Sequence, residues 1–387
     1  MATIGIFTEC YRPMLNGVVT SVITYVEQLT RLGHEVYVFA PAHPQARHSE
    51  DHLFRFPSVN APWGPLYPLA LPWLAPRLQR RIERLPLDIV HTQHPFTMGR
   101  LGAKIARRKG VPLCYTYHTL IENYTHYFPV PQEWAKRVAR GISRNYCNQV
   151  DCVIAPTSAI GEVLRGYGVT TRIETIPTGI DLSLADPAKL KPMRQEWGIP
   201  SGAPLILYAG RLAREKSLDR LLRAFAIIHA KLPEVWFLVV GGGPMEEECR
   251  QLAQQLPITD RIRFTGYVPH EQVFSLAADA DLFVFASQTE TQGLVIAEAM
   301  SVGLPCVAVE ATGAIEVIRD GENGLLTKPD DQEFAQAVMG LLRDPARRAA
   351  MSQHARETAH IFSAEHSAHK LSALYQELIA VGARHPW

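Results

Sequence analysis

Short apolar runs alternate with helix-period patterns along nearly the whole chain, and the alternation restarts once. Ile4–Thr8, Val36–Ala40, Asp88–His91, Pro112–Tyr117, Val153–Pro156 and Arg172–Ile176 read as strands. Between them lie helical patterns near Thr20–Leu32, Gly99–Arg108 and Ser158–Arg165. After a polar segment from Pro177 to Pro200 the rhythm resumes with strands at Leu205–Ala209, Val235–Val240, Arg261–Thr265, Leu282–Ala286 and Pro305–Val309, and a helix at Leu218–Lys231. Apolar strands in regular alternation with helices require parallel sheets covered on both faces. The expected fold class is therefore α/β, with two Rossmann-like domains facing across a cleft. The first spans 1–180 plus a C-terminal helix over 363–387 that crosses back to it; the second spans 181–362. In such sheets ligands bind beyond the carboxyl ends of the strands, so the search for a site narrows to those loops.

The chain's 387 residues suffice for two cores. Its net charge of +1 hides an asymmetry: Lys and Arg number 22 against 14 Asp and Glu over 1–195, and 17 against 24 over 196–387. A basic first half implies an anionic partner. The six cysteines (10, 114, 147, 152, 249, 306) show no C-x-x-C or zinc spacing and read as reduced thiols of a cytoplasmic protein. Thr3–Phe7 is too short for a signal-peptide core. Phe56–Pro76 is uncharged and long enough to span a bilayer, but its six prolines forbid a regular helix, so no transmembrane segment is expected.

Four strand ends carry candidate chemistry. Glu290-Thr-Gln-Gly-Leu-Val-Ile-Ala-Glu298 places two carboxylates around a turn that Gly293 frees, with backbone N–H groups near Gln292–Leu294 able to meet an anion. The carboxylates would stand roughly 10 Å apart. That suits an elongated, hydroxyl-rich ligand with negative charge in its middle, the form of a nucleotide-sugar. Arg211 and Lys216 follow the strand Leu205–Ala209, where two cations converging on a diphosphate would stabilise a leaving group's charge. Gly17 follows the first strand, where a bare backbone could approach a phosphate or sugar, and His118 ends the strand Leu113–Tyr117, where it could bond a sugar hydroxyl or move the acceptor's proton. Each feature alone is equally a solvated loop, a turn glycine or a locally satisfied histidine; the argument rests on the set.

Two other motifs read as decoys. Val239-Val-Gly-Gly-Gly-Pro244 resembles a dinucleotide loop, but Glu246-Glu-Glu248 would crowd the helix end a pyrophosphate needs, so it reads as a turn before an acid-capped helix that could still border the nucleotide. Asp279-Ala-Asp281 precedes a strand and reads as a surface turn, not a metal site. The basic excess concentrates where Trp73, Leu74, Leu78, Ile82 and Leu85 recur at helical spacing with Arg77, Arg80, Arg81 and Arg84 mostly opposite, which fits either a helix on an anionic membrane or a solvated face. Lys136, Arg137, Arg140 and Arg144 form a second basic stretch. No recognised nucleic-acid motif accompanies them.

Together Gly17, His118, Arg211, Lys216 and Glu290 to Glu298 resemble the retaining glycosyltransferase family 4, of GT-B fold, over nearly the whole chain. Phe7-Thr-Glu-Cys-Tyr-Arg-Pro13, Asn16-Gly-Val-Val-Thr-Ser21, Ile176-Pro-Thr-Gly-Ile-Asp181 and Gly321-Glu-Asn-Gly-Leu325 extend the likeness. It is closest to diacylglycerol glucosyltransferases, through His91-Thr-Gln-His-Pro-Phe-Thr-Met-Gly99, Tyr117-His-Thr-Leu-Ile-Glu-Asn-Tyr-Thr-His-Tyr127 and Thr289-Glu-Thr-Gln-Gly-Leu294. Gln292 departs from the Phe or Gly common in the wider family, though that subgroup shares it.

The resemblance implies that Glu290 and the backbone of Gln292, Gly293 and Leu294 hold the donor hexose and Glu298 the ribose. Arg211 and Lys216 would hold the diphosphate, with Gly17 against it. His118 would lie beside the donor sugar, and Tyr124 and His126 near the acceptor. The expected activity is transfer of glucose from UDP-glucose to a lipid such as diacylglycerol, with no cofactor or metal for the chemistry, on the inner face of the cell membrane. Transfer to a soluble or polyprenyl-linked saccharide in polysaccharide assembly, and non-catalytic nucleotide-sugar binding, are the competing readings.

Overall fold

The computed structural model describes residues 1–14, 16–46, 51–60, 68–127 and 130–383, with the side chains of 60, 124, 126 and 127 outside the description. The chain divides into two compact units, Met1–Gly179 with Ala364–Trp387, and Ile180–Ser363. The first holds β1 (Thr3–Phe7), α1 (Gly17–Arg31), β2 (Glu35–Pro41), β3 (Leu53–Phe56), the hairpin β4 (Ser58–Asn60) and β5 (Pro68–Ala70), and α2 (Pro76–Arg84). It continues through β6 (Ile89–Thr92), α3 (Thr97–Lys109), β7 (Leu113–Thr116), α4 (Gln132–Cys147), β8 (Cys152–Ala155), α5 (Ser158–Gly166) and β9 (Ile173–Thr175). The main strands pair in parallel in the order β3-β2-β1-β6-β7-β8-β9. β6, β7 and β8 are buried at every position, as sheets covered on both faces demand.

The second unit holds β10 (Leu205–Ala209), α6 (Leu218–Lys231), β11 (Trp236–Val240), α7 (Glu246–Gln255), β12 (Ile262–Gly266), α8 (His270–Asp279) and β13 (Leu282–Phe285). It ends with α9 (Leu294–Ser301), β14 (Cys306–Val309), α10 (Thr312–Ile315), β15 (Gly324–Thr327), α11 (Asp331–Leu342) and α12 (Pro345–Ile361). Its parallel order is β12-β11-β10-β13-β14-β15. The chain therefore reverses its direction of travel at β1/β6 in one sheet and at β10/β13 in the other. At such switch points the adjacent strand-end loops part to opposite faces and leave a crevice.

The C-terminal α13 (Ala364–Val381) belongs to the first unit, as the fold class requires. Its Tyr375 hydroxyl lies 2.6 Å from Nδ1 of fully buried His91, whose Nε2 lies 2.7 Å from Thr116 Oγ1. Burial lowers the His91 pKa to about 3, so this ring is neutral. Ser372 meets His34 at 2.8 Å, and Arg172 pairs with Glu377.

Three sequence expectations shift. α1 begins at Gly17, not Thr20, because Asn16 Oδ1 accepts the Val19 N–H at 2.9 Å and caps the helix early. The run from Trp73 to Leu85 is a 3₁₀ turn, Pro72–Leu74, and then α2, since Pro76 sets a new helix start. α2 turns Leu78, Ile82 and Leu85 into the first unit's core, leaving Arg77, Arg80, Arg81 and Arg84 exposed along with Trp73 and Leu74. Its apolar stripe is thus engaged inwardly and does not form a free membrane face. Finally, Asp279 and Asp281 stand at the half-exposed turn between α8 and β13, but their carboxylates are engaged by backbone. Asp279 accepts the Met193 and Arg194 N–H groups, and Asp281 accepts that of Leu205, stapling the linker to the second sheet.

Tyr375→Phe would leave the buried His91 Nδ1 without its partner. It should cost about 1–3 kcal/mol, measured by urea denaturation; an unchanged midpoint would show that the bond contributes nothing to docking α13.

Candidate active site

In the second unit the loops after β10 and β13 carry the expected charged residues, and their side chains meet. Lys216 Nζ donates to Glu290 Oε1, and Arg211 donates to buried Glu215, each in a short ion pair. Both cations are therefore charge-compensated before any ligand arrives. Tyr208 reaches from β10 to donate to the Arg211 carbonyl at 3.2 Å, and Ser287 Oγ donates to the Glu215 carbonyl at 3.0 Å. Ser217, next to Lys216, sits at φ 51°, a conformation a non-glycine residue adopts at a cost of about 1–3 kcal/mol.

Glycines let these loops pack backbone on backbone. A Cβ at Gly241 would stand 2.1 Å from the Gly210 carbonyl oxygen, and one at Gly243 would stand 2.4 Å from that of Leu212. The triple-glycine segment thus abuts the Arg211 loop, and α7 beyond it opens with Glu246, Glu247 and Glu248 in its first turn. On the other side, a Cβ at Gly313 would lie 2.5 Å from Glu290 Cβ.

Gly293, at φ 66°, is the N-cap of α9 and offers no side chain to its first-turn N–H groups; Gln292 beside it is buried and Leu294 opens the helix. Glu298 lies within α9, where its Oε1 meets His270 Nε2 at 2.9 Å. That hydrogen bond and the carboxylate's charge raise the His270 pKa against a smaller effect of burial. The structure brings together Lys216 with Glu290 and Arg211 with Glu215, and ties Glu298 to a different partner.

The first unit holds the remaining candidates. Gly17 opens α1, and a Cβ there would meet no described atom within 4 Å. His118 lies two residues beyond the end of β7 at Thr116, and its Nε2 lies 2.6 Å from Gln93 Oε1 in the loop after β6. Burial, then the neighbouring His94 and His91 rings, hold the His118 pKa well below the usual value, so it serves as a neutral hydrogen-bonding group. In the loop after β1, Glu9 is buried and accepts from Met98 N–H at 2.6 Å and Thr97 Oγ1 at 3.0 Å, capping α3; burial raises its pKa to about 7. Its own N–H donates to His94 Nδ1 at 3.2 Å, and burial lowers the His94 pKa to about 3.

Sequence reasoning missed Glu9, Gln93, His94, Glu215 and His270. The motif His91–Gly99 contained two of them, and Pro269 before His270 marks a helix start, but neither signal names a partner. Tyr124 and His126 have side chains outside the described residues.

Because the His270 pKa is raised, its pair with Glu298 contributes fully below the ordinary histidine value of 6.5 and fades as pH rises through the raised one. Ring resonances of His270 should titrate above 6.5 and fall back in Glu298→Gln. An unchanged titration in that variant would remove the pairing.

Comparison with known proteins follows the same division. Residues 15–184 match the profile described as Glycosyltransferase Family 4, and residues 191–358 match Glycosyl transferases group 1. The alpha-monoglucosyldiacylglycerol synthase of Acholeplasma laidlawii is 30% identical over 97% of both chains. The synthase of that name from Streptococcus pneumoniae is 33% identical over 79% of this chain and 70% of its own. A GDP-mannose-dependent alpha-mannosyltransferase of Mycobacterium tuberculosis is 30% identical over 89% of each. Among solved structures, Anabaena Alr3699/HepE in complex with UDP-glucose superposes at TM-score 0.79 with 22% identity, covering 97% of this chain and 100% of that one, and shows the GT-B fold. With strand-end cations and carboxylates at the motif positions, and relatives that span almost its whole length, this chain belongs to glycosyltransferase family 4.

Proposed function

We propose that this glycosyltransferase moves glucose from UDP-glucose to a lipid acceptor of the diacylglycerol type, with retention of anomeric configuration, as a peripheral protein at the inner face of the cell membrane. The observation that carries the reading is the convergence of Lys216 and Glu290 from the two loops flanking the second unit's switch point. A cation paired to a carboxylate there suits a donor with a diphosphate next to a hexose. The names of the relatives from Acholeplasma and Streptococcus support the lipid acceptor, and the UDP-glucose complex of the structural neighbour supports the donor.

In this reading Arg211 and Lys216 hold the diphosphate, Glu290 and the Gln292–Leu294 backbone hold the hexose, and Glu298 accepts from the ribose hydroxyls. Gly17 lies against the diphosphate, and neutral His118 bonds the sugar. As the bond between C1 and the phosphate oxygen breaks, negative charge grows on the diphosphate, and the two cations stabilise it. The acceptor oxygen attacks C1 from the same face and passes its proton to the departing phosphate oxygen. His118 is held neutral and so orients groups while that phosphate oxygen takes the proton. No helix among the described residues is long and apolar enough to cross a membrane. Tyr124, His126 and the α2 arginines (Arg77, Arg80, Arg81 and Arg84) are proposed on the acceptor and membrane side. No metal or further cofactor enters this reading.

Mass spectrometry of products from UDP-glucose and diacylglycerol in mixed vesicles tests it, and the product should be a monoglucosylated lipid. Arg211→Ala or Lys216→Ala should lower kcat by roughly 100-fold or more. Product formed only on soluble or polyprenyl-linked saccharides would overturn the acceptor, and near-normal turnover in both variants would remove these cations from the site.

A further inference from the structure

Glu298 meets a different kind of partner from the other charged residues at the second unit's strand ends. Its Oε1 lies 2.9 Å from Nε2 of His270, whose side chain is half exposed, while the Glu298 side chain is 14% exposed. His270 is the first residue of α8, behind Pro269, whose side chain caps nothing. A helix dipole opposes positive charge at its own N-terminus, so α8 by itself gives no reason for a histidine whose pKa is raised. The reason comes from α9. The hydrogen bond to Glu298 leads the upward shift, with the charges of Glu298, Glu271 and Asp181 adding to it against burial.

The ring is held on a second side. Phe274, one turn further along α8 and 1% exposed, meets it edge to face, with centroids 5.3 Å apart and planes at 73°. A ring fixed at both places fixes the oxygen it binds. With Oε1 taken, the Glu298 carboxylate is tied in one orientation, and its Oε2 has no donor among the described residues. Two vicinal hydroxyls need an acceptor at a set place, and an acceptor ordered beforehand loses less freedom when they bind.

We infer that His270 is the positioning residue for ribose recognition: by holding Glu298 Oε1 from α8 it leaves Oε2 for the vicinal hydroxyls of the ribose and makes the site select ribonucleotides over deoxyribonucleotides. This rests on the donor reading above, which gives the ribose to Glu298, and extends it to a residue that acts through Glu298.

Calorimetric titration of the full chain with UDP, 2′-deoxy-UDP and 3′-deoxy-UDP at one pH tests this apart from turnover. Wild type should bind UDP roughly tenfold or more tighter than at least one deoxy analogue. His270→Phe keeps a ring against Phe274 but cannot donate to Glu298. In that variant the preference should fall to within about twofold of none, whatever loss all three ligands share, with an unchanged melting temperature. His270→Gln, whose amide nitrogen reaches the same oxygen, should recover part of the preference, which a merely structural role would not restore. If His270→Phe melts early, His270→Asn, too short to reach Glu298, carries the same comparison with His270→Gln.

A preference that survives in His270→Phe would overturn the role of His270. If Glu298→Ala abolishes that surviving preference, Glu298 remains on the ribose; if Glu298→Ala keeps it as well, the ribose assignment falls too. Wild type that binds all three ligands alike would remove Glu298 from the ribose and this inference with it.

Discussion

Backbone packed directly on backbone fixes the loops that carry the second unit's strand-end charges. Gly241 and Gly243 let the loop after β11 press against the Gly210 and Leu212 carbonyls, and Gly313 lets α10 press against Glu290. Any side chain at these positions would force the neighbouring atoms to shift. Charged residues on long side chains lose rotamer freedom when they bind, and loops that are already immobile reduce the further cost of ordering. The left-handed Ser217 beside Lys216 fits the same account, since strain persists only where the surroundings over-determine it.

The second organising feature is charge compensation. Lys216 and Arg211 each rest against a glutamate, so the unliganded site holds its cations without leaving them unpaired in partly buried surroundings. A diphosphate would compete with those glutamates for the same cations, and its advantage grows as charge accumulates on the leaving group. The first unit works differently. Burial keeps His91, His94 and His118 neutral, with the His94 and His91 rings adding to the effect at His118, and Glu9 is engaged by the N-terminus of α3. One unit offers charge, the other neutral hydrogen-bonding groups.

Much of this was legible in the sequence because parallel sheets advertise themselves: β1, β2, β6, β7, β10, β11 and β13 are apolar runs that needed no context. Glu290, Lys216 and Arg211 stood out through their place at strand ends. α4 was harder to see, since Trp134 and Val138 break the apolar period by facing outward. The stripe Leu78–Ile82–Leu85 was visible, but a stripe does not say whether lipid or the protein's own core covers it. Partners were the least visible layer. That Glu298 meets His270, or Glu215 meets Arg211, follows from tertiary neighbours that no local pattern encodes. The triple-glycine turn was read correctly as a turn, yet its closeness to the Arg211 loop appears only in three dimensions.

The most direct measurement of this account is calorimetric titration of UDP into Glu290→Gln. In the native protein the Glu290 carboxylate neutralises Lys216, and UDP carries no hexose that could miss it. Removing the charge should free Lys216 and relieve repulsion of the diphosphate, tightening UDP binding roughly threefold or more even as glucose transfer falls. Weaker UDP binding in Glu290→Gln would contradict the account, because Lys216 would then need Glu290 in place to meet the nucleotide.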